Sequence, residues 1–302
     1  MFSILSGQQF FCKELLEYTE KHIKKQETNG TVYFCLMRIW IILIAFVFIL
    51  SCGQNDKKET AGNAAQLQVT DQLKNMVQKY PDSAGLRMQL INTFDSLNMY
   101  KEAISQTDSL IKKDSLNNGL WFTKGQLQED NKDTANAITS YTRAVNIYPS
   151  TEAQLHLANL LAETKNPKAL LICENVHKLG MGRETDADCN FIAGVYYART
   201  QAGKQALQYF DKAINDNYTL MEAYMEKGFI YYDSKNYTEA IKVFERAITV
   251  NNTYADAYYW RAKCEEALGS KADAILDYKR SSGLDKQLHE AAEAVKRLEN
   301  SH

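Results

Sequence analysis

The chain has 302 residues, with 35 lysines and arginines against 37 aspartates and glutamates and a net charge of −2 at pH 7. That balance argues against nucleic acid as the main partner, because a phosphate backbone is held by clustered positive charge. Of the six cysteines, Cys12, Cys35 and Cys52 lie in the front of the chain, and the remaining Cys173, Cys189 and Cys264 are too odd a number to pair completely.

Residues 1–36 carry Lys21, Lys24 and Lys25 among scattered apolar residues and read as a gene-model extension with no fold of its own, the true start being Met37. From there Arg38 is followed by an apolar run, Ile39 to Leu50, and then Ser51 and Cys52. The order of basic start, apolar run and Ile49-Leu50-Ser51-Cys52 resembles a bacterial lipoprotein signal peptide over residues 37–51. The resemblance implies that Cys52 is lipidated and becomes the mature N-terminus. Gly53 stands where inner-membrane lipoproteins of enteric bacteria carry aspartate, which implies an outer-membrane destination, facing the periplasm or the cell surface. Asp56, Lys57, Lys58 and Glu59 resemble the charged export signals of surface lipoproteins in the Bacteroidota. The alternative takes Met1 as real and the run from Thr31 to Ser51 as a membrane anchor of about 20 residues, the length a bilayer needs. Either way the rest of the chain lies outside the cytoplasm, behind a polar tether over residues 52–65.

A flanking helix is predicted over residues 66–83, with Val69, Leu73, Met76, Val77 and Tyr80 on one face and Pro81 ending it. A pattern of rings and small residues then recurs. Counted from Met221, Tyr224, Gly228, Tyr231, Tyr237, Ala240, Phe244 and Ala247 fall where two antiparallel helices can interlock a small residue with a bulky one. The next frame, Ala255 to Leu288, and the one before, Ala187 to Leu220, keep that register. Upstream frames span 84–117, 118–150 and 151–186, the first and third degenerate, the third with a long exit from Lys178 to Thr185. One alanine column, Ala103, Ala137, Ala169, Ala206, Ala240 and Ala274, ties the six frames together.

This is similar to the tetratricopeptide repeat (TPR) pattern. The resemblance implies an all-α, right-handed α-solenoid of about six helix-turn-helix repeats, with one continuous core, and with Leu288, Ala292, Val295 and Leu298 of a C-terminal helix, 289–302, capping it. The last three frames, being complete, are expected to be the most stable.

Family geometry implies a groove lined by the first helix of each pair. Its columns here give an acidic row, Glu152, Asp188, Glu222 and Asp256, and an apolar one, Met88, Phe122, Leu155, Phe191, Met225 and Tyr259, in which Phe122, Phe191 and Tyr259 would face solvent unless something covers them. Phe229 and Tyr232 lie deeper, beside Asp95, Glu129, Asp130, Glu163, Asp233 and Glu266, opposed by Arg199 and Lys263. The peptide-binding residues are therefore expected to be Phe122, Phe191, Glu222, Met225, Phe229, Tyr232, Asp256 and Tyr259, receiving a protein or peptide partner with basic and apolar side chains. The family's clamp for chaperone C-termini needs lysine in the column of Phe122 and Met225 and is not carried over.

No catalytic residue, metal site or cofactor is expected. His289-Glu290 lacks the second histidine of a zinc-protease helix, and Gly180-Met181-Gly182 lacks the strand and third glycine of a dinucleotide loop. The expected function is that of a membrane-anchored extracytoplasmic adaptor in envelope or outer-membrane assembly. The rival is a glycan-binding or enzymatic subunit using the groove rings as a platform.

Overall fold

The computed structural model describes residues 68–300. The extension, the signal-like stretch with Cys52 and the tether lie outside the described residues. Of two compact units, Met1–Gln72 is described only over residues 68–72, which are helical, and Leu73–His302 contains the remaining helices.

Among the described residues the fold is all-α, with fourteen helices and no strand. After α1 (residues 68–79) the helices come in pairs. They are α2 (Ala84–Ser96) with α3 (Tyr100–Ile111), α4 (Asn118–Asp130) with α5 (Thr134–Ile147), and α6 (Thr151–Glu163) with α7 (Lys168–Lys178). The later pairs are α8 (Arg183–Arg199) with α9 (Gly203–Asp216), α10 (Met221–Asp233) with α11 (Tyr237–Val250), and α12 (Ala255–Ala267) with α13 (Lys271–Leu284). α14 (His289–Asn300) packs on α13. Each helix packs on its chain neighbours, so Leu73–His302 is a repeat solenoid.

The turn inside every pair has one construction. Asn98, Lys132, Lys165, Gln201, Lys235 and Gly269 all have φ between 56° and 82°, and each stands fifteenth from the start of its frame. Such a left-handed residue lets the next amides bond back to the open carbonyls of the helix end, as Asn236 N–H does to Tyr231 O at 2.8 Å. The link to the next pair is also repeated: Asn217, Asn251 and Asp285 accept from the backbone amides of Thr219, Thr253 and Gln287 at 3.0, 3.1 and 2.8 Å.

The spacing of glycines and rings acquires its reason in the packing. A Cβ at Gly125 would stand 2.6 Å from the Tyr141 ring, one at Gly194 would stand 2.5 Å from Phe210, and one at Gly228 would meet Phe244 still more closely. All three rings are fully buried. In these three pairs only a residue without a side chain lets the helices close so far on the ring, and in α12–α13 the corresponding residue facing Tyr278 is the small Ala262.

The buried residues group into three clusters, running Val77–Leu127, Ala137–Cys264 and Ala262–Leu298, which adjoin one another, as where Gly125 of α4 meets Tyr141 of α5. Several expectations are corrected. The long exit after Lys178 is a short link, and α8 starts at Arg183, a turn earlier than the frame at Ala187. Gly182, at φ 110°, reverses the chain there, and Glu184 and Asp186 suit the exposed amides of the added turn, which His177 pins to Asp186 at 2.6 Å. On α1 the buried face holds Leu73 and Val77, while Val69, Met76 and Tyr80 are exposed. On α14 it is Ala291, Ala294 and Leu298 that are buried, flanked by Leu288 and Val295, and Ala292 faces water. The cysteines Cys173, Cys189 and Cys264 are free and buried.

Candidate functional site

The first helices of successive pairs enclose two cavities that share Phe191 as a wall. One, of about 330 Å³, is lined by Glu152, Leu155, His156 and Asn159 of α6 and Asp188, Phe191 and Ile192 of α8. The other, of about 370 Å³, is lined by Phe191, by Glu222, Met225, Glu226 and Phe229 of α10, by Tyr254, and by Asp256 and Trp260 of α12. Apart from Tyr254, which immediately precedes α12, the lining residues fall, in frame numbers, at positions 2, 5, 6 and 9 of their first helices. That is the i, i+3, i+4, i+7 stripe of a single helical face.

Five of the eight predicted groove residues, Phe191, Glu222, Met225, Phe229 and Asp256, are brought together in the second cavity. Met225 is itself buried and forms floor. The other three are elsewhere. Phe122 packs on Tyr141 and His156, with ring centroids 5.6 and 5.5 Å away. Tyr259 is half-buried against Tyr278 in the cluster closed by α14, because at the end of the array the capping helix takes the place of another repeat. Tyr232 lies a turn beyond the cavity, against Tyr237 and Trp260. Phe122, Phe191 and Tyr259 are half-buried: each is partly covered by the ring in the second helix of its own pair, Phe191 by Phe210 at 5.8 Å.

Trp260, Tyr254, Glu226, His156 and Ile192 were not foreseen. Trp260 is the centre of the ring cluster, 4.7 Å from Phe229 and 5.3 Å from Tyr232. The Lys263 ammonium lies 4.1 Å from the Trp260 centroid and within 5.6 Å of Tyr232 and Tyr259, a cation held on ring faces.

The electrostatics divide into two levels. Four deeper carboxylates, Glu129, Glu163, Glu226 and Glu266, are satisfied by the chain itself, whereas Asp95, Asp130 and Asp233 accept no side-chain hydrogen bond and stand in no ion pair among the described residues. Arg199 forks to Glu163 at 2.7 and 3.0 Å and to Glu226 at 2.9 and 2.8 Å. Tyr141 donates to Glu129 at 2.7 Å and Tyr278 to Glu266 at 3.0 Å, and Glu266 also takes Arg297. His156 Nδ1 lies 3.3 Å from Glu129, which raises the imidazole above its ordinary range against the opposing effect of burial. The outer row differs: Glu152, Asp188, Glu222 and Asp256 accept no hydrogen bond and stand in no ion pair among the described residues. Burial, with Glu184 and Glu222 nearby, raises the Asp188 carboxyl, and burial, with Asp285, raises Asp256. Among the described residues no three His, Cys, Asp or Glu side chains are grouped to hold a metal ion, and no helix is long and apolar enough to cross a membrane.

Comparison with known proteins agrees with this architecture. Residues 228–269 match the family model described as TPR repeat, and residues 119–151 match that described as Tetratricopeptide repeat. The chain carries tetratricopeptide repeats. Neither model describes a catalytic family, and repeats of this kind bind protein or peptide partners. Among solved structures, a tetratricopeptide repeat protein from Parabacteroides merdae superposes with a TM-score of 0.63 at 16% identity, over 80% of this chain and 96% of that one. The APC/C hetero-tetramer Cut9-Hcn1 does so with a TM-score of 0.54 at 16% identity, over 76% of this chain and 46% of that one. At such identities the likeness is one of fold. No curated protein matches the chain.

Proposed function

We propose that this protein is an adaptor anchored by lipid at Cys52 outside the cytoplasm, holding a protein partner for envelope or outer-membrane assembly. The partner binds in the groove of the first helices through a segment with basic and apolar side chains. One observation carries the reading: an outer row of four carboxylates without hydrogen-bond partners above a floor of Leu155, Phe191, Met225, Phe229 and Trp260, where the nearby Glu129, Glu163 and Glu226 are already paired. Charges at the rim steer a partner, and rings at the centre anchor it. The rival of a sugar-stacking platform fits less well, since Lys263 already lies over Trp260, Tyr232 and Tyr259.

A photo-reactive phenylalanine at Phe229, with another at Tyr209 on a second helix as control, tests the site in cells. One stoichiometric protein cross-linked through Phe229 and not through Tyr209 is expected. Cross-linking through Tyr209 alone, or retention of glycan without protein, overturns the adaptor reading. For the anchor, the intact mass of membrane-extracted protein should correspond to a chain starting at acylated Cys52, and a chain that retains residues 1–51 overturns it.

A further inference from the structure

The two cavities are the same device built twice. Each has an apolar floor and a pair of unpartnered carboxylates at its mouth, Glu152 with Asp188 in one and Glu222 with Asp256 in the other, and Phe191 divides them. A site with apolar walls and an anionic rim fits a side chain that is itself divided into an apolar stem and a cationic head, which among amino acids means lysine or arginine. The chain supplies its own precedent beside the second cavity, where Lys263 lays its ammonium over Trp260. The basic groups nearest the cavities hydrogen-bond to none of the four mouth carboxylates, although Glu152 acts on His156 through space and Lys263 stays over the rings. Arg199 is held by Glu163 and Glu226, and His156 by Glu129.

We infer that the groove reads a two-pronged cationic segment: an extended peptide whose two lysines or arginines enter the two cavities on either side of Phe191. This rests on the groove being the binding site and adds which segments it selects. The separation follows from the scaffold. Packed helices lie roughly 8–10 Å apart, so cavities centred about two first helices apart are on the order of 15–20 Å from each other. An extended chain rises about 3.3 Å per residue and presents alternate side chains to one face, so the prongs are about four or six positions apart.

The experiment uses the soluble chain from Cys52 onward and peptides of about a dozen serine and threonine residues, in extended form, carrying two lysines two, four, six or eight positions apart, plus one-lysine and two-norleucine controls. Affinities are read by NMR titration at low salt. Peptides with lysines four or six apart should bind at least ~10-fold more tightly than those two apart, the one-lysine control and the norleucine peptide. Asp188→Asn and Asp256→Asn should each reduce the preferred peptide to the one-lysine level. Equal affinity at all spacings, norleucine binding as well as lysine, no effect of either substitution, or no binding of any peptide overturns the two-pronged reading. Phe229→Ala separates the two levels of the proposal. If it abolishes binding of peptides that show no spacing preference, the groove stands and only the prongs fall. If it changes nothing while peptides bind, the groove falls as well.

Discussion

Two helix pairs of this solenoid solve one packing problem in opposite ways. In α10–α11 a glycine on the first helix, Gly228, receives a large ring from the second, Phe244. In α2–α3 the sizes are exchanged between the same frame positions: the first helix carries Ile91 and the second Thr107, both fully buried, with the threonine hydroxyl satisfied by Ala103 O at 2.9 Å. In α6–α7 both positions are small, Ala158 and Cys173, and there α8 packs directly on α6 as well as on α7. What the interface requires is a summed volume, and which helix supplies it is free.

Exchanging the sizes is the most direct way to break that comparison. Gly228→Ile forces a branched side chain into the Phe244 ring and should cost about 3 kcal/mol or more, and Phe244→Thr, which empties the same space, should cost about 3–5 kcal/mol. The double variant transplants the α2–α3 arrangement into α10–α11. Denaturant unfolding should find it more stable than the sum of the single losses by about 1–3 kcal/mol. Additive losses would show that the exchange is not what stabilises α2–α3.

The same contrast can be sharpened along the whole array. Hydrogen exchange should protect residues 187–288 longest, where three successive pairs keep one register and share most of the large cluster. Equal or greater protection over residues 84–186 would mean that exchanged or small locks cost nothing.

A smaller effect is expected from pH in the last pair. Burial, reinforced by Asp277 and only partly opposed by Arg261, pushes the Glu265 carboxyl up to about 7, and its Oε2 has no hydrogen-bond partner. The folded chain thus holds this proton more tightly than the unfolded one. Stability from the group is full below the ordinary value of 4.5 and is lost as pH rises to about 7. Glu265→Gln should remove that slope and raise stability at pH 8 by about 1–3 kcal/mol in thermal unfolding. A slope that survives the substitution assigns it to another group.

The architecture was legible because its constraint is written in residue size. A ring in the second helix needs a glycine or alanine at a fixed distance in the first, and Gly125, Gly194 and Gly228 declare it. The pairs without that signature, α2–α3 and α6–α7, are the ones whose frames looked degenerate. The site was legible in part. Reading fixed columns found Phe191, Glu222, Met225, Phe229 and Asp256 but passed over Trp260, which stands one residue after Tyr259 and belongs to the same face stripe as Asp256. The i, i+3, i+4, i+7 rule alone would have included it. Tyr259 was misplaced for another reason: periodicity does not show where an array stops and a capping helix covers the last face. The paired state of the carboxylates was not legible either, since Arg199 meets Glu163 and Glu226 from 36 and 27 residues away.

That arginine has a mechanical consequence. In a solenoid whose units touch only their neighbours, each joint bends on its own, and the whole behaves as a soft spring. Arg199 sits on α8 and grips α6 with one edge of its guanidinium and α10 with another, so a single rigid plane straps two successive joints. Neither joint can splay without drawing on the strap that holds the other. The strap spans α6 to α10, the helices that supply the lining of the first cavity and most of that of the second.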